Sequence, residues 1–358
     1  MISIILGTRP EIIKMSPIIR ECEKKGINYF LLHTGQHYSK NMDAVFFDQL
    51  DIPEPEYNLS VGSAPPGEQT GKMLTGIEKV LSEKNPDAVL VQGDTNTVLA
   101  GAIAATKMNI TLGHVEAGLR SYDRRMPEEI NRILTDHCSN YLFAPTLKSQ
   151  EILLGEGISK DQIYVTGNTV VDAVYQNLKI GANKVQPLKR FGLQSGKYFL
   201  ATIHRQENVD HMETLKGLID GLELVSKTFD LPVVYPIHPR SQKMMNKFGF
   251  KPQGVIFIEP QDSMTFLQLE KNAALILTDS GGVQEEACIL NVPCVTLRRN
   301  TERPETVDVG ANLLVGSDPN DILKGAKKMI DTPRCWKNPF GDGTAAQKIV
   351  NILIKNLS

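Results

Sequence analysis

The stretch Ala273 to Arg303, AALILTDSGGVQEEACILNVPCVTLRRNTER, decides the fold. It opens with a short apolar run, Ala274 to Leu277, of the kind found in a buried strand of a parallel sheet. Thr278, Asp279 and Ser280 follow, then Gly281 and Gly282, a helical segment from Val283 to Leu290, and a second buried strand from Pro293 to Leu297. Strand, Gly-Gly turn, helix and strand make a βαβ crossover with glycines at the helix entrance. Unpaired N–H groups and the positive end of the helix dipole meet there, an arrangement suited to phosphate. Ser280 adds a hydroxyl, and Glu285 or Glu286 in the first turn can accept hydrogen bonds from a sugar diol. The competing account is an Asp/Ser-capped helix whose glycines serve only a tight turn.

Working outward, the alternation repeats along the chain. Ile2 to Leu6 is an apolar run before Gly7-Thr8-Arg9-Pro10-Glu11 and a helix to about Lys24, with proline and an acid as start signals. Strands are expected at Tyr29 to Leu32, Ala88 to Gln92, Ile110 to Val115 and Tyr141 to Phe143, with helices between them. A looser stretch, rich in Pro and Gly, occupies residues 52 to 67. The pattern pauses around Thr166-Gly167-Asn168-Thr169, crosses a polar tract from Gln176 to Gly196, and restarts at Phe199 to Ile203, Val233 to Ile237 and Val255 to Ile258. Such a rhythm implies α/β architecture with doubly wound parallel sheets. We expect two Rossmann-like domains, residues 1–168 with a returning helix in 342–358, and residues 169–341.

Composition limits the function classes. The 358 residues suffice for two domains, and 41% hydrophobic and 22% charged residues are ordinary for a globular protein. A formal net charge of −2 supplies no field for nucleic acid or an anionic membrane. No apolar run approaches the roughly 20 residues of a membrane span, and MISIILGTRPE reads as a strand rather than a signal peptide. Five scattered cysteines, never spaced CxxC, point to neither a disulfide framework nor a zinc site and fit a cytoplasmic protein. No metal and no cofactor is expected: HxH, HExxH and DxD spacings are missing, and no GxGxxG follows the first strand.

In doubly wound sheets, ligands bind beyond the carboxyl ends of the strands. Arg9, His37, Asp94, Glu116, His204, His238 and Ser280 each stand just past an expected strand. Each alone has a structural explanation, with Asp94 as a helix cap or Glu116 paired to Arg120. Together they describe a central cleft between two domains, lined by carboxylates, imidazoles and cations and suited to proton transfer on a phosphorylated or nucleotide-linked substrate. Arg298, Arg299 and Arg303 could serve the phosphates, with Arg298 and Arg299 alternatively a solvated pair.

GTRPEIIKM (7–15), QGDTNT (92–97), GHVEAGLRS (113–121), MPEEINR (126–132), VTGNTVVDA (165–173), HRQEN (204–208), YPIHP (235–239), LTDSGGVQEEA (277–287), TERPE (301–305) and NPFGDG (338–343) follow one another along nearly the whole chain. They resemble the non-hydrolysing UDP-N-acetylglucosamine 2-epimerases. The resemblance implies a glycosyltransferase-B architecture and interconversion of UDP-GlcNAc and UDP-ManNAc, by elimination of UDP to 2-acetamidoglucal and re-addition with inversion at C2. By motif position it implies Asp94, Glu116 and Glu128 as acid/base carboxylates, with Lys14 and His204 also required. Arg132, one turn from Glu128, would orient that carboxylate. The resemblance further implies Arg9, Ser280, Gly281 and Gly282 at the diphosphate, Glu286 at the ribose and Phe266 at the uracil, with His238 and Arg303 completing the substrate set. It also implies that residues 169–341 form the UDP-binding domain, and a homodimer is expected.

Activator-dependent members of that family carry a distinctive run after the second strand, where this sequence has QHYSKNMDAV (36–45). Gln36 and His37 are kept as candidate allosteric residues; Tyr38 and Ser39 depart from the run. Rival functions on the same architecture are a hydrolysing 2-epimerase releasing ManNAc and UDP, a retaining glycosyltransferase, and a non-catalytic sugar-nucleotide sensor, which the presence of Asp94, Glu116 and Glu128 opposes.

Overall fold

The structure, a computed structural model, describes residues 1–36 and 46–357. They divide into two compact units, Met1–Gln176 with Phe340–Ser358, and Asn177–Pro339.

The first unit is built on a seven-stranded sheet in the order β3-β2-β1-β4-β5-β6-β7. Its strands are β1 (Ile2–Leu6), β2 (Tyr29–His33), β3 (Tyr57–Asn58), β4 (Ala88–Gln92), β5 (Thr111–Val115), β6 (Tyr141–Ala144) and β7 (Ile163–Val165). Every pairing is parallel, with Ile4 opposite Leu31 on one side and Leu90 on the other. β1 and β4 are buried on both faces, which is why each reads as an unbroken apolar run. Helices Pro66–Lys84 and Asn96–Lys107 cover Ile5, Val89 and Val91 with Met73, Ile77, Val98 and Ala102. Each fully buried aliphatic side chain contributes roughly 1.5–3 kcal/mol. The chain returns at its end: helix Ala345–Leu357 packs against helix Arg9–Lys25. Buried Asp172 caps it, accepting from the N–H groups of Ala345 (3.2 Å) and Ala346 (3.0 Å).

The second unit holds a six-stranded parallel sheet in the order β10-β9-β8-β11-β12-β13. Its strands are β8 (Phe199–Thr202), β9 (Val233–Pro236), β10 (Val255–Ile258), β11 (Leu275–Thr278), β12 (Cys294–Thr296) and β13 (Asn312–Leu314). Its core gathers Phe199, Tyr235, Leu277 and Val295 from the sheet with Leu218, Leu222 and Ile322 from the covering helices.

The apolar runs found in the sequence are strands of these sheets. β3, β7 and β13 are additional. They are two or three residues long and lie at sheet edges, where one-sided pairing leaves residues such as Asn58 and Val165 exposed and no continuous apolar run forms. The polar tract after Gln176 is also helical, comprising the second half of helix Thr169–Lys184 and a short helix Pro187–Phe191.

Both sheets have a switch point where the strand order reverses, at β1/β4 and at β8/β11. Connections leave adjacent strands toward opposite faces there, and a crevice opens at the carboxyl edge.

Candidate active site

In the first unit the switch point carries the turn Gly7-Thr8-Arg9 after β1 and Gly93-Asp94 after β4. The turn lies so close to the end of β2 and to the helix after β4 that a Cβ on Gly7 would collide with the hydroxyls of Thr34 and Thr97. Glu11 ties the two loops together. Its carboxylate accepts from the N–H groups of Gly7 (2.5 Å) and Thr8 (3.0 Å) and from the Thr95 hydroxyl (2.5 Å). Burial pushes the Glu11 carboxyl up to about 7, against the pull of those donors and with a further push from Asp94.

Glu116 follows β5 and is buried. Lys14 Nζ reaches both of its oxygens, at 2.6 and 2.8 Å, and the Gln92 amide donates to one of them. Glu116 has φ 72°, the left-handed region that a residue with a Cβ enters at a cost of about 1–3 kcal/mol. Arg120 is not its partner: that guanidinium binds Asp136 (2.7 Å) and Glu156 (2.6 Å).

Asp94 is part-exposed and ion-paired to Arg132 at 2.5 Å. Its backbone carbonyl accepts from the Asn131 amide at 2.9 Å. The loop is supported from behind by His114, whose ring nitrogens face Asp136 (2.6 Å) and the Gly93 carbonyl (2.8 Å). Burial would raise Asp136, but His114 and then Arg120 outweigh it and hold the carboxyl below its ordinary value.

Arg132 differs from expectation. It binds Asp94 and, three residues back on its own helix, Glu129 (2.9 Å), rather than Glu128. Glu129 is buried and also receives the N–H groups of Ser121 (2.8 Å) and Tyr122 (2.9 Å). Glu128, next to it in sequence, is on the exposed face of the same first turn. Spacings of three and four residues both place a partner one turn away. Burial of Glu129 selects between them.

Arg9 is exposed beside the Phe46 ring, 5.8 Å from its centroid. Gln36 is buried, accepting from the Thr97 N–H (3.2 Å) and hydroxyl (2.8 Å). His37, Tyr38 and Ser39 lie outside the described residues.

In the second unit the switch point carries His204 after β8 and Asp279-Ser280 after β11. Asp279 is fully buried and turned away from the helix it precedes. It accepts from the N–H groups of His204 and Arg205 and from the Asn208 amide, each at 3.0 Å. Its other oxygen stands 3.3 Å from His204 Nδ1. Burial lowers His204, with His238 and Arg205 reinforcing and Asp279 opposing. The rings of His204 and His238 are 6.0 Å apart.

Ser280 is the N-cap of helix Gly281–Ile289 but makes no side-chain cap bond, so the Asp/Ser-cap account fails for both residues. Nor does a left-handed turn require the glycines. A Cβ would find nothing nearer than 3.6 Å at Gly281 or 4.0 Å at Gly282. Among the described residues the helix entrance is therefore open around both glycines.

The same helix separates the two acids that sequence left as alternatives. Glu285 is buried and paired with Arg303 at 2.8 Å. Glu286 is half-buried and faces Glu270 from the neighbouring helix Ser263–Asn272, which also carries half-buried Phe266. Arg298 is buried rather than one of a solvated pair. It grips Glu302 through two bonds of 2.8 and 2.9 Å and holds that carboxyl down to about 2.

Sequence reasoning passed over Glu11, Gln92, Glu129, Asp136, Asp279 and Glu270. Glu11 carried a signal: Thr8-x-x-Glu11 has the spacing of a capping box. Glu129 meets Arg132, Ser121 and Tyr122 nearby in sequence; the rest become meaningful only through contacts farther along the chain.

The sequence profile of the UDP-N-acetylglucosamine 2-epimerase family matches residues 20–354. The chain is 56% identical to a UDP-N-acetylglucosamine 2-epimerase of Methanococcus maripaludis over 98% of each protein. A crystal structure of the Methanocaldococcus jannaschii UDP-GlcNAc 2-epimerase in complex with UDP-GlcNAc and UDP is 55% identical, with 99% of each chain covered and a TM-score of 0.84. The Neisseria meningitidis UDP-GlcNAc 2-epimerase bound to UDP-GlcNAc is 37% identical over 99% of this chain and 100% of that one, with a TM-score of 0.86. On likeness of this extent the chain belongs to the UDP-N-acetylglucosamine 2-epimerase family.

Proposed function

We propose that this protein is a UDP-N-acetylglucosamine 2-epimerase, interconverting UDP-GlcNAc and UDP-ManNAc. The observation that carries the reading is the end-to-end identity of 56% to a relative of that name. The chemistry follows from the substrate. The proton on C2 is not acidic, because no carbonyl flanks it within the ring. A base removes it as the C1–O bond to UDP breaks, the C1=C2 double bond of 2-acetamidoglucal forms, and the electron pair leaves on the diphosphate. In re-addition a diphosphate oxygen bonds to C1 and an acid delivers a proton to the other face of C2. No redox step intervenes.

We assign the acid/base roles to Asp94, Glu116 and Glu128. Lys14 holds both oxygens of Glu116 in place, and Arg132 fixes Asp94. One of the three serves as the base that takes the C2 proton and another as the acid that returns one to the opposite face. Arg9 and His204 serve the departing diphosphate. Ser280, Gly281 and Gly282 hold it at the open helix entrance, where first-turn N–H groups and the helix dipole favour anions. Phe266 receives the uracil and Glu286 the ribose, with His238 and Arg303 completing the substrate set.

We extend the reading to a cytoplasmic homodimer. Cys22, Cys288 and Cys294 are buried free thiols, which suits a reducing compartment. Leu147 and Leu154 are exposed on one helix at a spacing that places both on one face, a surface for a second copy. Light scattering after gel filtration tests the dimer.

The function is tested by incubating the protein with UDP-GlcNAc and following products by proton NMR. UDP-ManNAc is the expected product. Free ManNAc with UDP would establish a hydrolysing epimerase, transfer to an added acceptor a glycosyltransferase, and no reaction a sensor.

A further inference from the structure

Glu270 is a buried acid that the chemistry above does not use. It lies one turn beyond Phe266 on helix Ser263–Asn272, on the same side of that helix. Its side chain is fully buried. Acids are rarely buried without a cation or a set of donors. Among the described residues, however, no N–H group, hydroxyl or cation hydrogen-bonds to either Glu270 oxygen. The titratable groups that face it are Glu286 on helix Gly281–Ile289, Cys294 on β12 and Tyr198 just before β8. None is cationic, and Tyr198 already donates its hydroxyl to the Leu269 carbonyl at 2.5 Å.

Two carboxyl groups sharing a dry site cannot both ionise. Burial first, and then Glu286, drive Glu270 well above the ordinary carboxyl range. The proton therefore resides on Glu270, the more buried of the two, and the charge on half-buried Glu286. An O–H on Glu270 has one strong acceptor in reach, the Glu286 carboxylate. Glu285 offers no substitute acceptor on that helix, being held by Arg303.

We propose that Glu270 is a positioning residue for the nucleotide: its carboxyl group donates a hydrogen bond to Glu286 and so holds that carboxylate in the orientation that receives a vicinal diol. This rests on the assignment of Glu286 to the ribose. A carboxylate that accepts from two neighbouring hydroxyls must present both oxygens outward, and an exposed glutamate samples many rotamers. A third donor behind it fixes the rotamer and satisfies the lone pair that faces the interior.

The test compares binding of UDP and 2′,3′-dideoxy-UDP by calorimetry in the wild type, Glu286→Gln, Glu270→Gln and Glu270→Leu. The wild type should prefer UDP by at least about tenfold, and Glu286→Gln should lose the preference. Glu270→Gln keeps an N–H donor toward Glu286 and should retain the preference. Glu270→Leu, similar in volume without a donor, should lose it while binding dideoxy-UDP like the wild type. With UDP-GlcNAc it should show a raised KM and nearly unchanged kcat, a split that a general loss of packing would not produce. The wild-type preference should also decline at alkaline pH as Glu270 ionises against Glu286, and in Glu270→Gln it should not. Full preference in Glu270→Leu alongside its loss in Glu286→Gln would overturn the role of Glu270 and leave the ribose assignment standing. Full preference in Glu286→Gln would overturn the ribose assignment, and this inference with it.

Discussion

Lys14 Nζ lies within 2.8 Å of both carboxylate oxygens of Glu116, joining the helix after β1 to the residue after β5 across more than a hundred positions of sequence. The pair is largely out of solvent, and Glu116 carries an unfavourable backbone conformation to make it. Lys14→Met should therefore act through Glu116 and lower kcat by at least about a hundredfold, the usual scale for general acid–base groups. Asp94→Asn, Glu116→Gln and Glu128→Gln should fall by similar factors with UDP affinity little changed. Steady-state rates and UDP calorimetry check all four, and near-native turnover in Glu116→Gln would reduce the pair to a structural tie.

Reaction in D₂O should place deuterium at C2 of both UDP-GlcNAc and UDP-ManNAc, because the proton passes through a carboxylate that exchanges with solvent. Added NAD should leave the rate unchanged. Products that retain protium at C2 throughout, seen by NMR, would exclude the elimination route.

Glu11 makes stability depend on pH in an unusual direction. Its folded carboxyl titrates at about 7 and its unfolded one near 4.5, so between these values the folded chain binds more protons. Stability from this group is therefore greatest below about pH 4.5, falls as pH rises to about 7, and is flat above. The full swing is on the order of 3 kcal/mol. Asp136 and Glu302, held low in the folded state, act oppositely at more acid pH. The clean measurement is a difference: urea midpoints of wild type minus Glu11→Gln, from pH 5 to 8, should decline with pH. A flat difference would mean Glu11 titrates normally.

Gly282→Ala should separate fold from function. The added Cβ meets nothing closer than 4.0 Å, and alanine is the better helix former by about 1 kcal/mol in a helix interior. The melting temperature should be unchanged or slightly higher, while affinity for UDP drops at least about tenfold as the methyl obstructs the phosphate approach. Thermal shift and calorimetry on one preparation decide it, and undiminished UDP affinity would move the diphosphate away from this helix.

Asp279→Asn should disorganise the His204 loop. One oxygen of the buried carboxylate receives His204, Arg205 and Asn208, and the other also faces the His204 N–H at 3.2 Å; an amide is a neutral, weaker acceptor and turns an NH₂ donor toward that N–H. A stability loss of about 1–3 kcal/mol should accompany a fall in kcat that exceeds that of His238→Gln. Denaturant unfolding and rate measurements on the two variants would show it.

What the sequence alone determined is the periodic part of this protein. Strands buried on both faces must be continuous apolar runs, and helices between parallel strands must carry an apolar stripe, so β1, β4 and β11 and their crossovers were visible as local patterns. The residues just past the strand ends were visible for the same reason, because a parallel sheet sends every carboxyl end to one edge. Family motifs then attached a chemistry to Asp94, Glu116 and Ser280. Tertiary structure alone decided which charges meet. Arg132 could serve Glu128 or Glu129 by helical spacing, and Glu285 or Glu286 could face a ligand. Each choice was made by which carboxylate the packing buries. Lys14 with Glu116, Asp279 with His204, and Glu270 with Glu286 are contacts whose energy comes from desolvation and geometry. Neither quantity is written in local sequence, because both depend on what the rest of the chain places around the pair.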